Sequence, residues 1–170
     1  MKHIIVTILL LVPAAAFAQS GRVTIDIPPS LAAKASESVD VNLDGVMLRL
    51  ASRFLSDEDD AEIRDVVRKL DGIYVRSYEF DSDGEYDRSI ADSVRRQLGP
   101  EWKRIVTVQS KMRENTEIYA LPRGDSVGAI VVITAEPREL TIVNIVGPID
   151  IDKLASLEGN FGIPKRGKHE

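Results

Sequence analysis

The clearest pattern of apolar and polar positions lies between residues 127 and 147. Two runs rich in β-branched residues, V-G-A-I-V-V-I-T-A and L-T-I-V-N-I-V-G, flank the turn sequence E-P-R-E. Apolar runs of this length on either side of a turn predict two strands joined in a hairpin. Alternation predicts two apolar faces, which carry Val131, Ile133 and Ile142 on one side and Ile130, Val132, Val143 and Ile145 on the other.

Asn144 is the polar exception inside the second run of that hairpin. A strand that is covered on both faces is expected to be apolar throughout, and a buried amide needs hydrogen-bond partners. We expect Asn144 to bond to a neighbouring turn or helix end, and we treat it as the hairpin residue whose surroundings matter most.

Further strands are predicted where apolar residues recur with period two or in short β-branched runs. Val39, Val41 and Leu43 alternate with polar residues, which is typical of a strand with one exposed side. Residues 73–80, 104–110 and 116–122 are the other candidates, and each precedes a polar turn. With the hairpin, the last four strands are expected to form an antiparallel meander.

Helices are predicted where apolar residues recur at helical spacing. Behind a cap at Asp44, one stripe contains Met47, Leu50, Ala51 and Phe54. A second helix starts at Ser56, and its apolar side carries Ile63, Val66, Val67 and Leu70. Residues 87–98 form a third, and residues 31–38 a short one. A last helix, capped by Asp150, has an apolar side of Ile151, Leu154 and Ala155.

This order of elements predicts an α+β fold. We expect a two-layer sandwich, in which a mainly antiparallel sheet of about five strands carries helices on one face. Residues 19–38 are interpreted as a lead-in, residues 39–163 as the single α+β domain, and residues 164–170 as a disordered basic tail.

The first 18 residues have the pattern of a signal peptide. Lys2 and His3 precede the apolar run 4–12, and the sequence A-F-A ends at Ala18. A positive start, a short apolar run and small residues at the cleavage site indicate export, with cleavage after Ala18. The apolar stretch is shorter than the roughly 17–25 residues that a membrane-spanning helix needs. We therefore expect a soluble periplasmic or secreted protein without an integral membrane segment.

Composition narrows the choice of partners and chemistry. The chain has no cysteine, so disulfide bonds, cysteine catalysis and a lipoprotein anchor are excluded. Its net charge of −5 disfavours nucleic acid as a partner. Of the two histidines, His3 lies in the predicted signal and His169 near the end, which disfavours a Ser-His-Asp triad and a histidine zinc site. No cofactor-binding motif is present.

The acidic turn after residue 80 resembles a calcium loop. Asp81, Asp83 and Glu85 would be ligands, but the final bidentate position falls on Ile90, where that loop requires glutamate. Because Asp and Gly are also ordinary turn residues, a simple turn is the competing interpretation, and no metal site is predicted.

Aromatic side chains offer another candidate surface. Tyr74, Tyr78 and Phe80 share one face of a predicted strand, where they would form a platform for a ligand or pack under a helix. Trp102 is the sole tryptophan, and we expect it at the rim of the core.

Several segments together resemble one family. They are V-D-V-N-L-D-G-V-M-L-R-L-A at 39–51, L-D-G-I-Y-V-R-S-Y-E-F-D at 70–81, W-K-R-I-V-T-V at 102–108, A-E-P-R-E-L-T-I-V-N-I-V-G-P-I-D-I-D-K-L at 135–154 and L-E-G-N-F-G-I-P at 157–164. The chain is similar in these blocks to the bacterial exported family called domain of unknown function 4252. Many members have an export signal and some are lipoproteins, but this chain lacks the lipobox cysteine. The resemblance implies no reaction and no catalytic residues.

These observations favour a non-catalytic exported module that binds an envelope protein or a second copy of itself. One alternative is a carrier of a small apolar ligand, held between the sheet and the helices. A less favoured alternative is a hydrolase that uses two carboxylates, for which Glu79, Asp81, Glu136 and Glu139 are the candidates.

Overall fold

The computed structural model describes residues 21–54, 61–109 and 115–150, without the side chain of Glu62. The helices are α1 (Pro29–Ala32), α2 (Gly45–Ala51), α3 (Ala61–Val67) and α4 (Ser89–Arg95). The strands are β1 (Glu37–Asp44), β2 (Gly72–Glu79), β3 (Lys103–Gln109), β4 (Asn115–Arg123), β5 (Ser126–Ala135) and β6 (Glu139–Ile149).

The strands form one six-stranded antiparallel sheet in the order β1-β2-β6-β5-β4-β3. The predicted hairpin is confirmed as β5 and β6, which lie at the centre of the sheet. Its turn is closed by the Glu136 amide, which donates to the Glu139 carbonyl over 2.8 Å. Strand β6 then pairs with the distant β2, so the meander β3 to β6 joins the β1–β2 pair into one sheet.

We call one side of the sheet the packed face. It carries Tyr74 and Tyr78 of β2, Ala129, Val131, Ile133 and Ala135 of β5, and Leu140, Ile142, Asn144 and Val146 of β6, all of which are buried. Leu31 of α1, Ala91 and Val94 of α4, and Val23 of the N-terminal segment pack against it. The core therefore includes residues ahead of β1.

We call the other side the open face, and its apolar side chains form two rows across the strands. The inner row contains Leu43, Ile73, Ile145, Ile130 and Ala120. The outer row contains Val41, Val75, Val143, Val132, Ile118 and Val106. Leu48 of α2 and the residues Val67 and Leu70 at the end of α3 pack on the inner row.

The α+β class and the mainly antiparallel sheet are confirmed, with six strands where about five were expected. The helices divide between the two faces, whereas the sequence pattern suggested helices on one face. The division arises because β2, β5 and β6 are apolar on both sides, so each face offers a surface for a helix. The predicted signal peptide, the cap at Ser56, the last helix and the basic tail lie outside the described residues.

Candidate binding surface

Asn144 is fully buried in the packed face, and its amide is satisfied by backbone groups. Its Oδ1 accepts from the Val23 amide over 2.9 Å, and its Nδ2 donates to the carbonyls of Gly21 (3.0 Å) and Ile130 (3.1 Å). The expected partner was a turn or a helix end, but the main partner is the N-terminal segment. The side chain therefore fastens residues 21–23 to the middle of the sheet.

Other contacts hold the same N-terminal segment in place. A Cβ on Gly21 would lie 2.5 Å from Cβ of Ala129, and the φ of Gly21 is +104°, so glycine is required there. The Arg22 guanidinium lies 4.3 Å from the centre of the Tyr74 ring, and the Thr24 amide donates to Gln97 over 3.1 Å. The segment is therefore a structural part of the packed face.

The three aromatic residues of the predicted platform lie in the core. Tyr74, Tyr78 and Phe80 are all buried, and the Phe80 ring stacks on Tyr86 with 5.0 Å between centroids. Burial raises the pKa of Tyr78, although the charge of Arg76 opposes that shift. Trp102 is half-buried and packs against the same core, at its rim. Because these aromatic side chains are buried, they pack in the core and do not form an exposed platform for a ligand.

The acidic turn is exposed at Asp81 and Asp83, and Glu85 is half-buried. Nε of Arg138 donates to the Asp83 carboxylate over 2.9 Å, which gives the turn an internal cation as its partner. Within residues 21–54, 61–109 and 115–150, no group of three or more acidic or histidine residues is arranged to hold a metal ion.

Two pairs of carboxylates are brought together by the fold. Glu79 and Glu139 are register partners on neighbouring strands, so two of the four predicted hydrolase candidates are adjacent. Glu79 is exposed, and Glu139 accepts a hydrogen bond from the Thr141 hydroxyl over 2.8 Å. This pair lies where β2 ends and β6 begins, and its exposed Glu79 is not enclosed in a cleft where water and substrate would be held.

The second pair lines a cavity of about 220 Å³ between α4 and the ends of β3 and β4. Glu117 is 13 % exposed and binds Nε of Arg95 over 2.5 Å, and Arg95 also pairs with Asp92. Burial alone would lower the pKa of Arg95, but the two carboxylates raise it. A glycosidase pair needs water and substrate between its carboxylates. Here the guanidinium lies between them, which is the arrangement of a structural ion pair.

The apolar stripe of Met47, Leu50 and Phe54, which was found from its spacing in the sequence, faces solvent. Leu48 and Ser52 are the buried residues of this stretch, whereas Val46, Met47, Leu50 and Phe54 are between 46 % and 81 % exposed. The apolar stripe that the spacing indicates is therefore largely exposed at Met47, Leu50 and Phe54. The helix has only seven residues, and the Asp44 carboxylate that caps it accepts from the amides of Val46 and Met47, both over 2.9 Å. Leu48 packs on the inner row, so the opposite side of the helix faces solvent.

The spacing identified the apolar residues of this stripe but could not show that they are exposed. Its apolar residues were visible in the sequence, but a helical stripe normally predicts the buried side. Clusters of exposed apolar side chains on a folded protein mark surfaces that contact another molecule. We name Val46, Met47, Leu50 and Phe54 the α2 stripe.

Each helix in the described ranges is too short or too polar to cross a membrane. No curated protein and no solved structure matches the chain. A family model described as Domain of unknown function (DUF4252) matches residues 33–157, which include every strand and the helices α2, α3 and α4. The match covers more than half of the 170 residues. The chain therefore belongs to the family of unknown function DUF4252, as its sequence blocks predict.

Proposed function

We propose that this chain is an exported, non-catalytic module that binds an envelope protein through the α2 stripe. The observation that carries the proposal is the exposure of three large apolar side chains on α2 and of Phe54 just after it, which is 81 % exposed. The signal-peptide pattern in residues 1–18 supports an exported site of action.

The spacing of the α2 stripe indicates how a partner would bind. Val46, Met47 and Leu50 lie on α2, and Phe54 lies three residues beyond its last residue, Ala51. The matching partner therefore has an apolar groove about two helical turns long, with a further apolar site for Phe54. Because Leu48 anchors the opposite side of α2 in the inner row, the stripe is presented on a fixed support.

The strength of this contact can be bounded. Full burial of one large apolar side chain stabilises by about 1.5–3 kcal/mol, so the exposed parts of these four give roughly 4–7 kcal/mol. Association costs at least about 4 kcal/mol in lost translation and rotation. The stripe alone therefore supports weak binding, and a stable complex needs further contacts around α2.

The non-catalytic part of the proposal is supported by the arrangement of the candidate groups. The register pair Glu79 and Glu139 lies at the ends of β2 and β6, with Glu79 exposed to solvent, and Arg95 lies between Asp92 and Glu117. A carrier of apolar ligands is less well supported, because Val131, Ile133 and Ile142 fill the described space under α4 and are 0 % exposed.

The test is site-specific photocrosslinking in cells that export the chain naturally. A photoreactive residue in place of Phe54 is expected to give one defined adduct with another protein, and the same residue at the exposed Asp125 is expected to give none. The substitution Leu50→Glu should abolish the Phe54 adduct while lowering the free energy of unfolding by less than about 1 kcal/mol, because Leu50 is 46 % exposed. Equal yields at Phe54 and Asp125, or no adduct at Phe54, would refute the proposal.

A further inference from the structure

Strand β3 lies at one edge of the sheet and is exposed along its whole length. In the described part of the chain, β4 is the one strand that pairs with it. Three of its apolar side chains are exposed, namely Ile105 (53 %), Val106 (38 %) and Val108 (41 %). Residues 105–109 read I-V-T-V-Q and contain no charged residue. An uncharged, β-branched edge of this kind is a template for pairing with a further strand.

The opposite edge of the sheet differs from β3 in its charge. Strand β1 carries three carboxylates, at Glu37, Asp40 and Asp44. Charged side chains on an edge strand disfavour association with a further strand. Strand β3 carries its two charges, Lys103 and Arg104, at its first two positions. The part of the sheet edge without charge is therefore residues 105–109.

We infer that β3 pairs with β3 of a second copy of this chain, antiparallel and around a two-fold axis at Thr107. A two-fold contact requires a surface that is complementary to itself. The segment from Val106 to Val108 reads V-T-V, which is the same in both directions. Each Val106 would therefore lie opposite Val108 of the other copy, and Thr107 would lie opposite its own equivalent. Cross-strand pairs of β-branched side chains stabilise an antiparallel pair.

The backbone and the charges of β3 allow this pairing. Its register with β4 shifts between Arg104 and Val106 and is regular from Val106 to Gln109, so the axis lies in the regular part. Arg104 precedes the axis by three residues, which places the two copies of Arg104 about 20 Å apart along the strands. This distance exceeds the Debye length of about 8 Å at physiological salt, so repulsion between them is screened.

The strand directions favour this contact over one between β3 and β1 of another copy. Because β1 and β3 are the first and last of six antiparallel strands, they run in opposite directions. A second copy whose β1 paired antiparallel with β3 would therefore have the same orientation as the first copy. Such a contact always leaves a free edge and grows into fibres, whereas a two-fold contact is complete in a dimer.

The contact is small, so we expect a reversible dimer. Five paired residues span only about 17 Å along each strand. A stable interface of standard size buries about 800 Å² on each partner, which is more than one strand edge of this length supplies. The dimer should therefore form as the concentration rises and dissociate on dilution.

The test is sedimentation of the full chain, purified after export, between about 1 µM and 1 mM, where weak dimers form. The mass should rise from one chain to two and no further. Thr107→Lys should raise the dissociation constant about tenfold, because it places two ammonium groups opposite each other. An equal mixture of Thr107→Lys and Thr107→Glu should restore the dimer. The matched control is Ser38→Lys, an exposed position on β1, which should leave dimerisation unchanged.

Three outcomes of this experiment would overturn the inference. They are a mass of one chain at every concentration, masses that rise beyond two chains, and equal dimerisation of Thr107→Lys and the natural chain. The first would mean that the β3 edge does not bind a second copy. The second would favour fibres in which β3 pairs with β1.

A second measurement locates the two-fold axis directly, because the natural chain has no cysteine. Opposite residues of an antiparallel pair have Cα atoms about 4.5–5.5 Å apart, which suits a disulfide bond. Mild oxidation should link Thr107→Cys into dimers about ten times more than Ser38→Cys, the exposed control on β1. Equal yields would contradict an axis at Thr107. Both readouts report on β3, so they are independent of the outcome at Phe54 and of the proposed function.

Discussion

The two faces of the sheet are built from the same strands but differ in what covers them. In β5, the packed-face residues Val131 and Ile133 are 0 % exposed, while their neighbour Val132 on the open face is half-buried. Both faces are made of β-branched residues, so composition does not separate them. The difference comes from the N-terminal segment, α1 and α4, which lie on the packed face, whereas on the open face Leu48 of α2 and Val67 of α3 pack with the inner row.

The polar side chains of the two faces also differ in the partners to which they bond. On the packed face, the buried amide of Asn144 bonds to backbone groups of a distant segment. On the open face, the hydroxyl of Ser77 pairs with its cross-strand neighbour Thr141. A buried amide must be satisfied by the fold, while exposed hydroxyls can also bond to water. On the packed face, Asn144 therefore holds a distant segment in place. On the open face, Ser77 and Thr141 bond to each other across neighbouring strands, next to the outer row.

The largest expected effect concerns Asn144. The substitution Asn144→Ala leaves the Val23 amide and the Gly21 and Ile130 carbonyls buried without this partner, and each unsatisfied group costs about 1–3 kcal/mol. We expect a loss of about 4 kcal/mol in the free energy of unfolding, measured by urea denaturation. The matched control is Asn42→Ala, since Asn42 is exposed and should change stability by under about 0.5 kcal/mol. Equal effects at both sites would contradict the role given to Asn144.

The next effect compares two leucines of α2. Leu48 is 2 % exposed and packs in the inner-row cluster, whereas Leu50 is 46 % exposed. Leu48→Ala should lower the free energy of unfolding by about 3 kcal/mol, and Leu50→Ala by less than about 1 kcal/mol. Thermal and urea unfolding of the two variants would check this. A larger loss at Leu50 would mean that α2 is rotated with its stripe toward the sheet.

A third test compares the two faces directly within β5. Val131→Ala and Val132→Ala remove the same atoms from adjacent positions. The first should cost about 2 kcal/mol, because two buried methyl groups are lost and a cavity remains. The second should cost about 1 kcal/mol, because Val132 is only half-buried. Identical losses in urea denaturation would show that the open face is as well covered as the packed face.

The smallest expected effect is a pH dependence at Tyr86. Burial is the main cause that raises the pKa of Tyr86 to about 12, and its hydroxyl donates to the carbonyls of Glu136 (2.5 Å) and Glu139 (3.0 Å). In the unfolded chain the pKa is 10.0, so its stabilising contribution is complete below pH 10 and is lost as the pH rises toward 12.

The matched variant for this test is Tyr86→Phe. The natural chain should be about 1 kcal/mol more stable than the variant at pH 8, and this advantage should shrink by about 1 kcal/mol at pH 11. Denaturant titrations of both proteins at the two pH values give the comparison, in which other titrating groups cancel. A constant difference between pH 8 and pH 11 would show that Tyr86 does not lose its proton in this range.

Much of the fold was predictable because its signals are local. Alternation and β-branched runs predicted the hairpin β5–β6, and the Asp44 cap predicted the start of α2. The short helix α1 begins two residues earlier than its predicted start at residue 31, because Pro29 suits the first helical position. The partners of Asn144 were not predictable, because Gly21 and Val23 lie more than 120 residues away along the chain.

The candidate surface was predictable only in its residues and not in its orientation. The spacing of Met47, Leu50 and Phe54 indicates an apolar stripe, and the usual inference is that such a stripe is buried. In a helix of seven residues, the anchoring of one side chain decides which side is buried, and here that side chain is Leu48. No local pattern distinguishes the two possibilities.

Residue type and spacing are enough to predict the α+β class, the central hairpin and the family, and residues 39–163 contain no cysteine or histidine. Which face of the sheet is buried, which side of α2 is exposed and which segment Asn144 holds emerge only from the folded chain. Those outcomes depend on contacts between segments far apart in the chain, such as the bond from the Val23 amide to Asn144.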